Sequence, residues 1–346
     1  LIRAGAPVKD FTGLAVLPGL WDAHVHLLMT GVALFWVDIG AAKSIKEIQN
    51  RLSERLETGE DELLIGTGYD DSVLADGRMP AGADLDAVSA DRPIVIFRID
   101  GHSLVHNEAA RRYLEIDAGW PGIQTGADGA PTGRAFARAN EEIRKRIFDR
   151  MPPVFKRKAY RAAADLAPRA GCAALCALEG GELFGDQDPE ILLGIKNRLG
   201  VHVEVYNQYP DVSSSKRLGL GRVGGCILAD GSIGSRTAAL MEDYADDPGN
   251  RGRLYLEDAW LRTFAGEAHA AGLQVAVHAI GERAVHQVLD AYEAALTAAP
   301  RPDARHRVEH AELILEEDIE RAAKLGVVFS MQPAFEHFWG GPGKLY

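Results

Sequence analysis

The chain has 346 residues, 47% of them apolar and 25% charged, and carries a formal charge of −12 at neutral pH. That length and balance suit a folded chain with a sizeable core and exclude disordered and collagen-like classes. The acidic charge argues against nucleic acid and anionic membranes as partners, and no apolar run is long enough to span a bilayer, so a small-molecule substrate is the expected ligand.

Residues 1–10 lack the charged-then-apolar pattern of a secretion signal. The three cysteines, Cys172, Cys176 and Cys226, are an odd and sparse set that points to free thiols and a reducing, cytoplasmic setting. A homo-oligomer is the one macromolecular assembly left open. An apolar run over residues 14–24 opens the strand candidates. Residues 44–56 then read as a helix, with Ser44 as cap, Glu47 three residues on, and Ile45, Ile48, Leu52 and Leu56 on one face. Strands are expected at 63–68 and 94–99, and the Gly-rich stretch 117–134 reads as a long loop.

From there one pattern recurs: a helical segment ends in Gly and an apolar strand begins at once. It occurs at Gly171 before 172–179, Gly200 before 201–207, Gly272 before 273–280 and Gly326 before 327–332. Glycine stops a helix by entering the left-handed region, and apolar strands of this kind are those of a parallel sheet covered on both faces. Further strands are expected at 224–229 and 306–310. The total exceeds what a barrel lacking its end requires, so some belong to an insertion, placed at about residues 60–135. A βα barrel and an open doubly wound sheet both fit the alternation, but no Rossmann glycine fingerprint follows any strand.

In a barrel, function gathers at the carboxyl ends of the strands. His24 and His26 close the first strand, and residues two apart on a strand face the same side. His278 and His310 end two later strands. Imidazoles converging from three strand ends suit a shared Zn-type ion.

The segment Leu17–His26 (LPGLWDAHVH) resembles the first-strand signature of the amidohydrolase superfamily. DGHS at 100–103 with Asn107, DGSIGSRTA at 230–238, HAIGERA at 278–284, RVEHA at 307–311 and SMQP at 330–333 are similar to motifs of its family 3, which includes N-substituted formamide deformylase. The motifs follow the family's order over nearly the whole chain. The resemblance implies a metal-bearing α/β (β/α)8 TIM-like barrel that hydrolyses C–N bonds, usually amide-like. His24 and His26 would bind one metal, with His278 and His310 binding a second or sharing the first.

Two departures stand out. Where members often carry a metal-bridging carboxylated Lys, this chain has Cys226, which reads either as a thiolate ligand or as a small core cysteine. Glu179, at the end of its strand, is a competing carboxylate ligand. The sequence also stops soon after the seventh-strand motif, so the eighth strand, with the Asp that usually serves as general base, is expected to be missing. Residues 1–15 read as the remnant of a small β-sandwich, and 16–346 as an incomplete barrel. The catalytic base is left unknown. His102, Asp230, Arg236 and Gln332 are candidate substrate contacts, an internal Asp230–Arg236 pair being the structural alternative. Phe335, Phe338 and Trp339 read as a pocket wall or a cover for the barrel end. Strand alternation points Glu309 away from the metal if His310 faces it, making Glu309 structural. Alternatives to C–N hydrolysis are a lactone or phosphoester hydrolase on the same barrel, or a metal- or ligand-binding barrel without turnover.

Overall fold

The computed structural model describes residues 9–59, 61–99, 101, 103–181 and 184–341. Among the described residues, no regular element precedes β1 (Leu20–Val25), which leads into the helix Leu27–Ala33. The chain then builds a second sheet from β2 (Val37–Asp38), β3 (Leu64–Tyr69), β4 (Ile94–Arg98), β5 (Ser103–His106), β6 (Ile123–Thr125) and β7 (Pro131–Phe136). The helices Ala137–Arg150 and Pro153–Ala164 carry it back to β8 (Cys172–Glu179), β9 (His202–Asn207), β10 (Arg222–Leu228), β11 (Gln274–Ala279), β12 (Arg307–His310) and β13 (Val328–Ser330).

The strands from both ends of the chain form one seven-stranded sheet in the order β1-β8-β9-β10-β11-β12-β13, with every pairing parallel. It curls into a nearly closed barrel. The curl is fixed by contacts across the interior: His24 on β1 reaches Glu309 on β12, and Arg307 on β12 donates to the carbonyl of Ala23 on β1. The end strands β1 and β13 are not hydrogen-bonded to each other.

Alternation along the strands sorts the two faces. Val275, Val277 and Val308 point outward and pack with Leu261, Val285 and Leu289 of the covering helices. Cys176, Leu178, Tyr206 and Ala276 gather into a separate small cluster against Cys226. Three of the four glycine stops, Gly171, Gly272 and Gly326, have φ of +78°, +81° and +68°. Gly200 is not among the left-handed positions, because its helix ends earlier, at Leu193, and a short 3₁₀ turn follows.

The inserted sheet has the order β2-β3-β4-β5-β7-β6 and takes in residues 37–136, against the 60–135 expected from sequence. The helix Ile45–Thr58 forms as expected, and Ser44 accepts from the amide of Glu47. The stretch 117–134 is not simply a loop. It contains the antiparallel pair β6–β7, whose connecting turn is closed by the Gly126 amide donating to the Ala130 carbonyl. Its Gly, Pro and Asp content reflects that turn and a short edge strand, which mask a strand signal. No helix among the described residues is long and apolar enough to cross a membrane.

Candidate metal centre

β1 departs from regular pairing with β8 between Asp22 and Val25. His24 projects inward from this irregular stretch, its amide donating to the Asp22 carboxylate. His26 sits one residue past the strand, at the start of the helix Leu27–Ala33. The two rings lie edge to face with centroids 5.4 Å apart. His310 follows at 4.8 Å from His24, and His278 at 4.5 Å from His310. The four imidazoles expected from sequence thus form one continuous chain at the carboxyl end of the barrel.

Cys226 completes the group. Its Sγ is 3.4 Å from His26 Nε2 and 3.8 Å from His24 Nε2. One ligand atom each from His24, Cys226 and His310 falls within 4.8 Å of the others. The thiol reaches this position because β10 is broken by Gly224 and Gly225, at φ of +96° and +120°, with a register shift between Gly224 and Leu228. A Cβ on Gly224 would lie 2.0 Å from the carbonyl oxygen of Ala276, so this close approach requires glycine.

The hydrogen bonds on the far side of each ring set the tautomers. His24 Nδ1 donates to Glu309 Oε2 at 2.7 Å, His26 Nδ1 to the Leu178 carbonyl at 3.2 Å, and His310 Nδ1 to Gln332 Oε1 at 2.8 Å. Carboxylate and carbonyl oxygens only accept, so each ring carries its proton on Nδ1 and keeps the Nε2 lone pair for a ligand. Burial, reinforced by the neighbouring His24, lowers the His26 pKa to about 4. Burial and the neighbouring His278 and His24 hold His310 far below its ordinary value. Imidazoles with oriented Nε2 atoms beside a thiol form a donor set that fits a Zn-type ion. His278 is held differently: its Nε2 donates to the carbonyl of Gly231 at 3.1 Å.

The remaining candidate residues occupy other places around the cluster. Glu179 does not belong to the cluster. It is buried beneath the β1 corner, accepting from the Leu28 amide at 3.2 Å and the Tyr160 hydroxyl at 2.9 Å. Burial, with the Asp188 carboxylate nearby, raises its pKa to about 8. Asp230 is a loop anchor, accepting from the amides of Ala239, Ile280 and Gly281 at 2.8–2.9 Å. Arg236 does not pair with it. Arg236 is exposed and clamps its loop through Asp246, at 2.6 and 3.1 Å. Gln332 orients His310. The Phe335 ring lies parallel to His310 at 6.4 Å and packs on Trp339. His102 lies outside the described residues.

Glu309 is the residue that strand alternation misassigned. It faces the barrel interior together with Arg307, as period two requires, and His310 still reaches the centre because its φ is +72°. The left-handed backbone at His310 turns its side chain back toward the side Glu309 occupies. The signal available in sequence was the Arg-x-Glu spacing itself, since two charged residues on one face of a barrel strand call for each other.

A parallel barrel with imidazoles and a thiol converging at its carboxyl end defines a metal-centre architecture. A sequence profile described as the amidohydrolase family matches residues 8–344. The chain belongs to the amidohydrolase family, within its family 3. It is similar to YtcJ of Bacillus subtilis (strain 168), at 30% identity over 357 residues, covering 96% of this chain and 66% of that protein. It is also similar to N-substituted formamide deformylase of Arthrobacter pascens, at 25% identity over 375 residues, covering 97% and 66% of the two chains. Among solved structures, an uncharacterized metal-dependent hydrolase from Pyrococcus horikoshii OT3 superposes with a TM-score of 0.76 at 29% identity, covering 93% of this chain and 64% of that one. The chain therefore spans about two thirds of the length of these relatives.

Proposed function

We propose that the protein is a metal-dependent hydrolase that cleaves an amide-like C–N bond of a small molecule, with zinc as the ion. The observation that carries this reading is the convergence of imidazole nitrogens on Cys226 Sγ, with the Nδ1 atoms of His24, His26 and His310 all tied to acceptors behind them. His24, His310 and Cys226 would hold the ion, with His26 adjoining them. When bound, such an ion supplies Lewis acidity, polarising a carbonyl oxygen and acidifying water.

The chain's own residues supply position and shape. Glu309, Gln332 and the Leu178 carbonyl aim the imidazoles, and Asp230 fixes the loop after β10 against the start of the helix Glu282–Ala298. Phe335 lies beside His310 with Trp339 packed on it, and the two rings offer an apolar face to a substrate substituent. The deformylase among the relatives supports amide-like substrates and N-formyl compounds as the first class to assay.

A second reading, a metal-binding barrel without turnover, is favoured by one observation. Two carboxylates beside the cluster are already committed, Asp230 to three amides and Glu309 to His24 and Arg307. Metal analysis combined with an assay on N-formyl and N-acyl amines separates the two. Stoichiometric zinc with hydrolysis abolished by His24→Ala is expected; stoichiometric zinc with no turnover by the full-length gene product would favour the second reading, and a metal-free protein would overturn both.

A further inference from the structure

β1 carries His24, yet it is an end strand of the sheet, paired on one side by β8 and unpaired with β13 on the other. Its inner edge is held instead by a side chain. Arg307, on β12 and almost wholly buried, sends Nη2 to the carbonyl of Ala23 at 2.6 Å and to Ser330 Oγ on β13 at 2.8 Å. The same guanidinium grips Glu309 in a bidentate pair, Nε to Oε1 and Nη2 to Oε2, both at 2.8 Å. Its Nη1 donates to the Tyr206 hydroxyl on β9 at 2.9 Å. Glu309 Oε2 then accepts from His24 Nδ1. One buried cation thus touches the residue before His24, the carboxylate behind His24, and the strand across the seam.

We propose that Arg307 and Glu309 form a positioning relay that spans the barrel seam and fixes His24 in the tautomer and orientation a metal needs. The inference rests on the metal-centre reading above for its consequence, but not for its geometry. A carboxylate held by a bidentate arginine cannot rotate away from the imidazole it accepts from. The Ala23 carbonyl bond fixes the backbone from which that imidazole projects. Neither residue reaches the cluster's ligand side, so both act through His24. The cost of burying an ion pair is offset because both carboxylate oxygens of Glu309 and all three guanidinium nitrogens of Arg307 find partners, and that makes removal of one member severe.

The test uses two readouts on the whole chain: the ¹⁵N signature of the His24 tautomer in metal-free protein, and zinc affinity by competition with a chromophoric chelator. Glu309→Ala is expected to lose the Nδ1–H tautomer and weaken zinc binding by about 100-fold, and Glu309→Gln, a poorer neutral acceptor, by about 10-fold, the usual range for groups behind a ligand. Tyr292→Phe removes a hydroxyl that donates to the Arg307 carbonyl from outside the barrel, at 2.8 Å. It is expected to lower stability while leaving both readouts unchanged, which separates positioning from general destabilisation. Wild-type tautomer and zinc affinity in either Glu309 variant overturns the relay, and should Glu309→Ala not fold, Glu309→Gln decides alone. If the wild-type protein binds no zinc, the metal reading fails, while the tautomer readout still judges the relay.

Discussion

Each imidazole at the centre is defined as much by what stands behind it as by what it faces. Glu309, Leu178 and Gln332 accept from the Nδ1 atoms of His24, His26 and His310, so the protein itself orients the three rings. Glu179 illustrates the opposite use of a buried carboxylate. Burial and the nearby Asp188 raise its pKa to about 8, far above the value it would have in an unfolded chain. The folded state therefore retains a proton that the unfolded state has released, and stability falls as pH rises from the ordinary carboxylate range through about 8. Glu179→Gln removes that linkage while offering an oxygen to the Leu28 amide. Denaturant unfolding of chelated protein at pH 6 and pH 9 is expected to show a smaller loss in the variant than in wild type. An equal loss in both would assign the pH dependence to other groups.

The strands show which parts of this arrangement sequence makes readable. Period two placed His24 and His26 together, and helix-stop glycines located β8, β11 and β13 to within a residue or two. The same rule failed at β12, because a left-handed backbone at His310 lets consecutive residues serve one side, and no residue type announces that conformation. It also could not foresee that Arg236 clamps Asp246 or that Asp230 collects backbone amides, since both depend on a loop fold that local pattern does not encode. Cys226 was visible as a departure, but its place in the cluster depends on the Gly224–Gly225 break in β10. Gly224→Ala forces a Cβ against the Ala276 carbonyl in a backbone conformation that L-residues avoid. It is expected to cost about 1–3 kcal/mol in denaturant unfolding, as other overpacked sites do, and to weaken metal binding. A variant as stable as wild type with unchanged metal affinity would show that the break does not position the thiol.

Taken as one molecule, the protein places a dense set of uncharged imidazoles inside its barrel and beneath its helices. His26 is lowered to about 4 and His306 to about 3, both mainly by burial, while His106 and His310 are shifted the same way. In the unfolded chain these groups take up protons near pH 6.5. Below that value the unfolded state binds more protons than the folded one, so stability is present above pH 6.5 and is lost as pH falls toward about 4. Metal-free protein is expected to lose stability already between pH 6.5 and 5, ahead of most carboxylates, and a flat profile across that window in urea unfolding would contradict the buried-neutral assignment.

Sulfur and imidazole nitrogen are proposed to meet at one metal position. X-ray absorption at the zinc edge of protein loaded with one equivalent of zinc tests it directly. A Zn–S distance of about 2.3 Å beside Zn–N distances of about 2.0–2.1 Å is expected, with the sulfur shell disappearing in Cys226→Ser. A shell of oxygen and nitrogen alone in the wild-type protein, unchanged by that substitution, would contradict it.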